Sequence, residues 1–545
     1  MMMVTPLLAE AVGKHPTAVA VVDARGTTTW SELDTRVQHL VAGLRARGLS
    51  EGDTVAVLLG NQVEMVEVSL ACMQAGWLLV PLNWHLVADE VRYVLDDARA
   101  CAIVVDHRWQ DVVVSALSAP GAAGARLLVI VDHTSDRGTA GDPAGDSIGT
   151  AGDAGVELES YAEVVATPLA DDDPPEWSRG GPMFYTSGTT GHPKGVRGAL
   201  AQLGGPPEIW TLMAHSLRSV IDLPDEGGGA QGICGPMYHS AQWVISMFAL
   251  MCGATLVLQH RFDAEDLLDL IDEHRVTNLH LVPTQMSRLL QVPEQRRDRF
   301  DGSTLESVLH GAAPCPPSVK RSMIEWLGPI VTEYYGGTEG GFISRITAAE
   351  WAERPGSVGM PLEVIEIVVV DPLGAVVGPG IVGDLYFRSL LGSSFEYHNA
   401  EEKTRAVHLE PGLATLGDIG YLDDDGYLFL SDRRIDMVVS GGVNIYPAEI
   451  EAVLVAADEV ADAAVFGIPD QEMGESVRAA LVLRAGLDWS DEVEAAVTAH
   501  CREHLAGYKC PRGFEVHTQL PRSEAGKLLK RLLRDPWWAS SGRSI

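Results

Sequence analysis

One short stretch of the chain concentrates groups that can bind an anion. Residues 185–196, YTSGTTGHPKGV, hold four Ser/Thr hydroxyls, three glycines and Lys194, and the apolar, strand-like GPMF precedes them. Hydroxyls, closely approaching backbone N–H groups and one ammonium group together suit phosphate oxygens. No G-K-[ST] follows four residues after a glycine, so the stretch is not a Walker A loop. Taken alone, it fits an ordinary surface loop equally well.

Two later stretches carry further groups that could bind a nucleotide. YYGGTEGG at 334–341 offers the Tyr335 ring, the Thr338 hydroxyl and the Glu339 carboxylate, and LGDIG offers Asp418. One carboxylate can accept hydrogen bonds from two adjacent hydroxyls at once, as a ribose presents them. Isolated Thr-Glu and Gly-Asp pairs are usually turns, so only the order of these stretches along the chain favours a site.

Together these stretches resemble the motifs of the adenylate-forming superfamily, which includes acyl-CoA synthetases, nonribosomal peptide adenylation domains and beetle luciferases. The chain carries five of the motifs in the family's order, and they cover most of its length. They are YTSGTTGHPKGV, YYGGTEGG, LGDIGYLDDDGYL, DRRIDMVVSGGVNIYPAEIE and LPRSEAGKLLKR.

The resemblance implies a nucleotide site with defined roles. Tyr335 is expected to stack on adenine, Thr338 to contact the α-phosphate and Glu339 to hold Mg²⁺, which commonly takes one or two carboxylates plus phosphate oxygens. Asp418 is expected to bind the ribose hydroxyls, and Arg433 the ribose and the phosphates. The remaining nucleotide contacts are expected from Thr186, Ser187, Gly188, Thr189, Thr190, Gly191, Lys194 and the backbone of Gly311, Ala312 and Ala313.

The resemblance also implies a catalytic group, Lys527, which acts with Thr338 and Glu339. Lys527 would bridge the α-phosphate and the substrate carboxylate, because two anions must meet and the charge of the transition state needs a fixed cation. In PMYHSAQW, His239 occupies the place where acyl-CoA synthetases often have a histidine beside the acyl pocket.

A rotation of the small C-terminal domain is implied between the two steps of the reaction. The hinge is expected at Ile435 and Asp436, and Gly441 and Gly442 of the SGG loop are expected to reach the thiol channel. Two positions depart from the family pattern: Ile435 stands where a charged residue is common, and Val439 stands where a lysine is common. They leave open how the second conformation is stabilised.

The activity that the resemblance implies is that of an acid–thiol ligase. An acid and ATP give an acyl adenylate and pyrophosphate, and the thiol of coenzyme A then displaces AMP to give acyl-CoA. Apolar and aromatic residues near 236–243 and 283–288 favour a fatty or aryl acid, and PMYHSAQW lacks the aspartate with which peptide-synthetase domains hold an α-amino group. Two alternatives stay open: loading of the acyl group onto a carrier protein, and a catalytically silent nucleotide-binding homologue.

The elements that must position these groups alternate between strand and helix in the first third of the chain. Such alternation predicts parallel sheets covered by helices. Between the first two strands, residues 31–48 predict a helix that Ser31 caps. Its apolar face comprises Leu33, Val37, Leu40, Val41 and Leu44, and the buried strands are predicted at 18–23, 54–59, 102–106 and 126–132.

The predicted fold is α/β, acyl-CoA synthetase-like, with a large N-terminal domain of parallel-type sheets and a small mobile C-terminal α+β domain. The N-terminal domain is predicted at 1–432, the hinge at 433–436 and the C-terminal lid domain at 437–545, and the alternating pattern runs to about residue 430. Residues 134–156 are a Gly, Ala, Asp and Ser-rich surface insertion. Within it, GDSIG at 145–149 matches a hydrolase nucleophile elbow by chance, because no strand precedes it and no helix follows.

Composition excludes several other classes of protein. The 545 residues require more than one domain, and 40 basic against 75 acidic side chains give a formal charge of −35, which disfavours nucleic acid partners. A mean hydropathy of +0.07 and the lack of a long apolar run predict no membrane span. The seven cysteines form no C-x-x-C pair, which predicts a reducing, cytoplasmic setting without structural zinc or disulfides. A homodimer is left open.

Overall fold

The chain folds as two compact units. The first comprises Met1–His280, Phe300–Ser307 and Ser393–Thr404, and the second comprises Leu281–Arg299, Val308–Gly392 and Arg405–Ile545. The structure is a computed structural model, and it describes residues 4–118, 125–132, 156–169, 177–186, 193–223, 228–433, 436–440, 443–470, 473–523, 526 and 528–539. The insertion predicted at 134–156 and its GDSIG sequence therefore lie almost wholly outside the described residues.

The first unit contains a parallel six-stranded sheet, as the alternation of strands and helices predicts. All its adjacent strands are parallel, and the central strand Thr54–Leu58 is buried at every position. Strands covered on both faces need continuous apolar runs, which explains sequences such as ACAIVVD and LLVIV. The strand order is Glu157–Ser160, Leu127–Val131, Ala100–Asp106, Thr54–Leu58, Leu78–Pro81, Gly181–Pro182.

Two further groups of strands belong to the first unit. Val19–Asp23 pairs with Gly26–Thr29 in an antiparallel hairpin and runs parallel to Thr255–Leu258 on its other side. Ala230–Ile233 lies between Thr255–Leu258 and Asn278–Leu281, parallel to both. A separate three-stranded antiparallel sheet has the order Glu396–Tyr397, Lys194–Arg197, Phe184–Thr186.

The first long helix shows how sequence determines an element boundary. It spans Trp30–Ala46, and all five residues of its predicted apolar face are fully buried. Ser31 is not its cap: Thr29 accepts a hydrogen bond from the Glu32 N–H, and the Glu32 carboxylate accepts one from the Thr29 N–H. This reciprocal capping box satisfies two N–H groups, which favours the earlier start. The other α-helices of this unit are Ala9–Lys14, Val63–Ala75, Ala88–Ala98, Gln110–Ser118, Tyr161–Val165, Ile209–Ser216, Ser240–Met251 and Ala264–Glu273.

The second unit departs from the predicted alternation. Ser307–His310 and Val331–Gly337 are parallel, but the strands that follow, up to Arg433, pair antiparallel. Their period-two patterns with tight turns suit hairpins, and the helices between them are short. These strands are Gly341–Ile346, Ser357–Pro361, Ile365–Val370, Gly383–Ser389, His408–Glu410, Leu413–Ala414, Asp418–Leu422 and Leu428–Arg433; the helices of this stretch are Pro283–Leu290, Glu294–Arg297, Pro317–Leu327, Ala348–Glu353 and Glu401–Val407.

The C-terminal part of the second unit has a core of its own, as predicted. The helix Pro447–Ala456 begins with Pro447 at its first position, where a missing N–H costs nothing. The strands Val460–Asp470 and Gly474–Leu483 form a long antiparallel pair, and Asp491–His504 packs with Pro447–Ala456 in one buried apolar cluster. The remaining elements are Val438–Ser440, Val443–Ile445, Phe514–Val516 and Lys530–Ala539.

Helix length and composition bear on a membrane location. Over the part of the chain that the structure describes, no helix is both long enough and apolar enough to cross a bilayer.

Candidate functional site

The predicted phosphate-binding stretch begins and ends in an antiparallel hairpin of the first unit. Thr186 pairs with Lys194, and Tyr185 pairs with Gly195. A methyl group at Gly195 would lie 3.1 Å from Met183 Sδ and 3.2 Å from His398 Cβ, so these neighbours would have to shift by a few tenths of an ångström to admit a larger residue. Five of the residues predicted to bind phosphate follow Thr186 in sequence and lie outside the described residues: Ser187, Gly188, Thr189, Thr190 and Gly191.

A distant segment of the chain supports this hairpin. Glu396–Tyr397 adds as the third strand, and the His398 N–H donates to the Gly195 carbonyl at 2.8 Å. The Lys194 ammonium group lies 4.6 Å from the centre of the Tyr397 ring. The two residues in this contact are roughly two hundred positions apart in the sequence, so no local pattern indicates that they meet. The hairpin is thus held at a fixed distance from the strand that carries Tyr397.

The start of the hairpin is held from a second side. Tyr185 Oη donates to Asp97 Oδ2 at 2.6 Å, and burial together with the Asp97 carboxylate raises the pKa of the Tyr185 phenol. Asn399 Nδ2 donates to the same carboxylate at 3.1 Å. Tyr185 therefore stays protonated and acts as a structural donor rather than as a base.

The second unit brings together several residues of the predicted nucleotide site. Tyr335 Oη donates to Asp418 Oδ2 at 2.7 Å, and Asp418, which is 6% exposed, lies opposite Arg433 in the paired strands. A methyl group at Gly337 would lie 3.2 Å from Leu416 Cδ1, so the two motifs pack directly on each other. The hydrogen bond from Tyr335 orients the Asp418 carboxylate. The position of the Arg433 side chain is outside the described part.

The predicted adenine loop follows the strand Ser307–His310 in the same unit. Ala312 adopts φ +65°, a left-handed conformation that non-glycine residues rarely occupy, and it is exposed, whereas Gly311 packs against Tyr334, which leaves no room for a Cβ. Strained backbone of this kind is concentrated at functional sites. Ala313 is partly buried beside it.

A buried ion pair lies in the elements next to the adenine loop. Lys320 Nζ contacts Glu333 Oε2 at 2.6 Å, and both side chains are almost fully buried. Burial raises the pKa of the Glu333 carboxyl, while the Lys320 ammonium group opposes that shift. Since Glu333 precedes Tyr334 and Tyr335 on the strand Val331–Gly337, the pair ties the helix Pro317–Leu327 to the strand that presents the site. Sequence reasoning missed this pair, because it gave no partner to either residue.

The predicted magnesium site has one protein carboxylate, that of Glu339. Thr338 and Glu339 follow the strand Val331–Gly337, and both are partly buried. Within the described ranges no group of three or more His, Cys, Asp or Glu residues could hold a metal ion. A lone glutamate suits Mg²⁺ that binds mainly through substrate phosphates, rather than a protein cage.

His239 lies at the first unit's helix Ser240–Met251, which it precedes as the N-cap residue. Burial lowers the pKa of His239 to about 4, and its Nε2 has no hydrogen-bond partner within the described residues. Its ring lies 4.4 Å from the Tyr238 ring. The imidazole is therefore neutral near pH 7 and cannot act there as a cationic partner for a carboxylate.

Two residues that precede the predicted catalytic lysine, Arg522 and Gly526, are held by contacts within the second unit. Arg522 Nη2 contacts Asp462 Oδ1 at 2.7 Å, and its Nη1 donates to the Gly526 carbonyl at 2.9 Å. Gly526 adopts φ +74°, and a methyl group there would overlap Thr284 Oγ1 and lie 3.1 Å from Val282 Cγ2. The residue before Lys527 thus lies against the start of the helix Pro283–Leu290. Lys527 itself is outside the described residues.

The remaining predicted residues concern the hinge and the thiol channel. Asp436 is described and partly buried, whereas Ile435, Gly441 and Gly442 are not described. Val439, which stands where the family commonly has a lysine, is 41% exposed, and its N–H donates to Glu475 Oε2 at 3.2 Å.

Two family models match this sequence. The AMP-binding enzyme model matches residues 8–392, and the AMP-binding enzyme C-terminal domain model matches residues 449–527. The chain belongs to the AMP-binding, adenylate-forming enzymes. The two matched ranges lie within the predicted N-terminal and C-terminal domains, and the boundary at 433–436 stays a prediction.

Curated relatives and a solved structure extend over nearly the whole chain. A feruloyl-CoA synthase of Amycolatopsis sp is 32% identical over 527 residues, 95% of this chain and 96% of that protein. A fatty acid–[acyl-carrier-protein] ligase of Streptomyces coeruleorubidus is 30% identical over 542 residues, 97% of this chain and 96% of its own length. The o-succinylbenzoate CoA synthetase of Bacillus subtilis, solved with its acyl-adenylate intermediate, is 27% identical with a TM-score of 0.76 and covers 98% of both chains.

These findings confirm the superfamily and the fold predicted from the motifs. The adenylate-forming enzyme described here is an AMP-forming acid–thiol ligase.

Proposed function

We propose that this enzyme activates a carboxylic acid with ATP and transfers the acyl group to coenzyme A. In the first half-reaction a carboxylate oxygen attacks the α-phosphorus of ATP, which forms the acyl adenylate and releases pyrophosphate. In the second, the CoA thiol attacks the acyl carbon, loses its proton and displaces AMP. The products are acyl-CoA, AMP and pyrophosphate.

One observation carries this proposal. Tyr335, Asp418 and the backbone of Arg433 lie together in the second unit, and Gly526 packs on Val282 and Thr284 in the same unit. In the proposed site the Asp418 carboxylate accepts hydrogen bonds from the ribose hydroxyls, and the Tyr335 ring stacks on adenine. Residues 311–313 present backbone groups to the base.

The family resemblance assigns the phosphate contacts to residues of two motifs, at 185–196 and at 334–341. Lys194 supplies charge toward the phosphates, and the hydroxyl-rich residues 187–190 supply donors. Glu339 would hold Mg²⁺, which when bound neutralises phosphate charge. Lys527 would neutralise part of the negative charge that accumulates when the carboxylate attacks the α-phosphate. Loss of a fixed donor in such a role raises the activation free energy by about 2.7–4 kcal/mol.

We propose a fatty or aryl acid as substrate. The helix Ser240–Met251 that follows His239 is buried and mostly apolar, and His239 is neutral at pH 7 because burial lowers its pKa to about 4. These features favour an uncharged acyl group near His239. The Amycolatopsis relative, named for an aryl acid, is compatible with this choice.

The acyl acceptor has two candidates. Coenzyme A is the acceptor named for the Amycolatopsis relative, whereas the Streptomyces coeruleorubidus relative loads an acyl carrier protein. We favour coenzyme A, and a catalytically silent homologue is disfavoured because Glu339 and Lys527 are both present. None of the seven cysteines, all of which lie in the described part of the chain, forms a disulfide, which is compatible with the proposed cytoplasmic location.

A panel of acids tests this proposal. Pyrophosphate release is measured with short, medium, long and aromatic acids, with and without CoA, and products are separated by chromatography. AMP and an acyl-CoA from at least one acid support the proposal. Adenylate that accumulates without a thioester until a carrier protein is added would shift the acceptor, and no nucleotide turnover with any acid would refute the proposed reaction.

A further inference from the structure

We infer that Tyr397 is a positioning residue for Lys194, which it holds through the face of its ring. The inference rests on the proposed role of Lys194 toward the phosphates of ATP. The Lys194 Nζ atom lies 4.6 Å from the centre of the Tyr397 ring. A cation within about 6 Å of an aromatic face is attracted by the negative charge of that face.

The strand register explains why these two side chains meet. Tyr397 lies directly opposite Val196 in the antiparallel pair, and Lys194 is two residues from Val196 on the same face of its strand. Side chains in this diagonal relation are within reach when one is aromatic and the other is long. The contact therefore follows from the pairing of Glu396–Tyr397 with Lys194–Arg197.

Tyr397 itself is held by its backbone and by its neighbours. Its N–H donates to Thr404 Oγ1 at 2.9 Å, and the next residue, His398, donates its N–H to the Gly195 carbonyl at 2.8 Å. The Phe395 ring packs edge-on against it at 5.6 Å between centroids. These contacts fix the ring independently of any ligand.

The consequence concerns the entropy of the lysine side chain. A free lysine loses rotamer entropy when it is immobilised on a ligand. A lysine that already lies over a fixed ring has lost part of that freedom before the nucleotide arrives. Tyr397 thus prepares Lys194 for binding, and its contribution is realised in the affinity for phosphate groups rather than for the acid.

Substitutions at Tyr397 test this role in the full-length enzyme. Tyr397→Leu removes the aromatic face and should raise the KM for ATP, and the KM for pyrophosphate in the reverse exchange, by about twofold to fivefold. The KM for the acid should not change. Tyr397→Phe keeps the face and should match the wild type in the KM values for ATP, pyrophosphate and the acid.

A double substitution separates this inference from the proposed function. Lys194→Met should raise the KM for ATP, and adding Tyr397→Leu to it should have no further effect. If Lys194→Met leaves the KM for ATP unchanged, the phosphate role of Lys194 fails and the inference fails with it. If Lys194→Met is impaired but Tyr397→Leu acts equally in both backgrounds, only the inference is overturned.

A graded series keeps the test decisive even where Tyr397→Leu does not fold. Phenylalanine with zero, one, two or three ring fluorines at position 397 preserves shape but progressively weakens the negative face of the ring. The logarithm of the KM for ATP should rise with each fluorine. A flat series would overturn the inference.

Discussion

Gly526→Ala is a substitution that tests how the loop before Lys527 acts. Gly526 has φ +74°, and its Cα faces Thr284 Oγ1 and Val282 Cγ2. An alanine in this conformation costs about 1–2 kcal/mol, because Cβ crowds the following carbonyl oxygen. In addition, its methyl group would overlap Thr284 Oγ1, so either the loop or Thr284 must move.

The expected effect is specific to one half-reaction. If contact between Gly526 and the start of the helix Pro283–Leu290 is part of the adenylate-forming arrangement, a cost of about 1–2 kcal/mol slows adenylation by roughly 5- to 30-fold. Transfer from preformed acyl adenylate to CoA should stay close to the wild-type rate. The two rates are measured separately, by ATP–pyrophosphate exchange and by acyl-CoA formation from purified adenylate.

Two variants serve as controls for this prediction. Gly507→Ala lies in the same C-terminal part, has open space around the new methyl group and should leave both rates unchanged. Thr284→Ala removes the overlapping oxygen, so the double variant with Gly526→Ala should recover part of the adenylation rate. A wild-type exchange rate in Gly526→Ala, or an equal fall in both half-reactions, would refute the reasoning.

Three further substitutions follow from contacts within the units. Tyr335→Phe keeps the ring but removes a hydrogen bond to the Asp418 carboxylate. This variant should raise the KM for ATP by about tenfold and leave the KM for the acid unchanged. Equal changes in the two KM values would contradict the prediction. Lys320→Met leaves the buried Glu333 carboxylate without its cation and should lower the free energy of unfolding, measured in urea, by about 3–5 kcal/mol. Adding Glu333→Leu should restore most of the lost stability. A Lys320→Met variant as stable as the wild type would contradict the prediction. The pKa of His239 is about 4 in the folded protein and about 6.5 in the unfolded chain, so the unfolded chain binds more protons between these pH values. The free energy of unfolding should therefore fall by about 3 kcal/mol as the pH drops from 6.5 to 4. His239→Gln should abolish that part of the pH dependence, and an unchanged pH dependence in this variant would contradict the prediction.

Sequence patterns predicted the parallel sheet and the C-terminal elements well because burial on both faces leaves a strong local signal. The strands predicted at 54–59 and 102–106 are observed at Thr54–Leu58 and Ala100–Asp106. The predicted cap of the first long helix was wrong by two residues, since both Thr29 and Ser31 can cap a helix and the pairing of Thr29 with Glu32 decided between them. Local periodicity also failed in the second unit, where short antiparallel strands follow one another up to Arg433.

The candidate site was predictable to the extent that its residues occur in recognisable motifs. Tyr335 and Asp418 were both expected at the nucleotide, but the hydrogen bond between them depends on strand pairing that no motif encodes. The contact between Lys194 and Tyr397 was missed for the same reason. Likewise, no local pattern indicates that Gly195 packs against His398 and Met183. Long-range pairing, rather than composition, decides these contacts.

The most direct measurement of the central claim follows the oxygen atoms of the acid. The acid that gives the fastest pyrophosphate release is supplied with both carboxylate oxygens labelled with ¹⁸O, together with ATP and CoA. If the carboxylate attacks the α-phosphorus, the AMP released by the thiol carries one labelled oxygen, and mass spectrometry should find it in nearly every AMP molecule. Unlabelled AMP beside a newly formed thioester would contradict an acyl-adenylate intermediate.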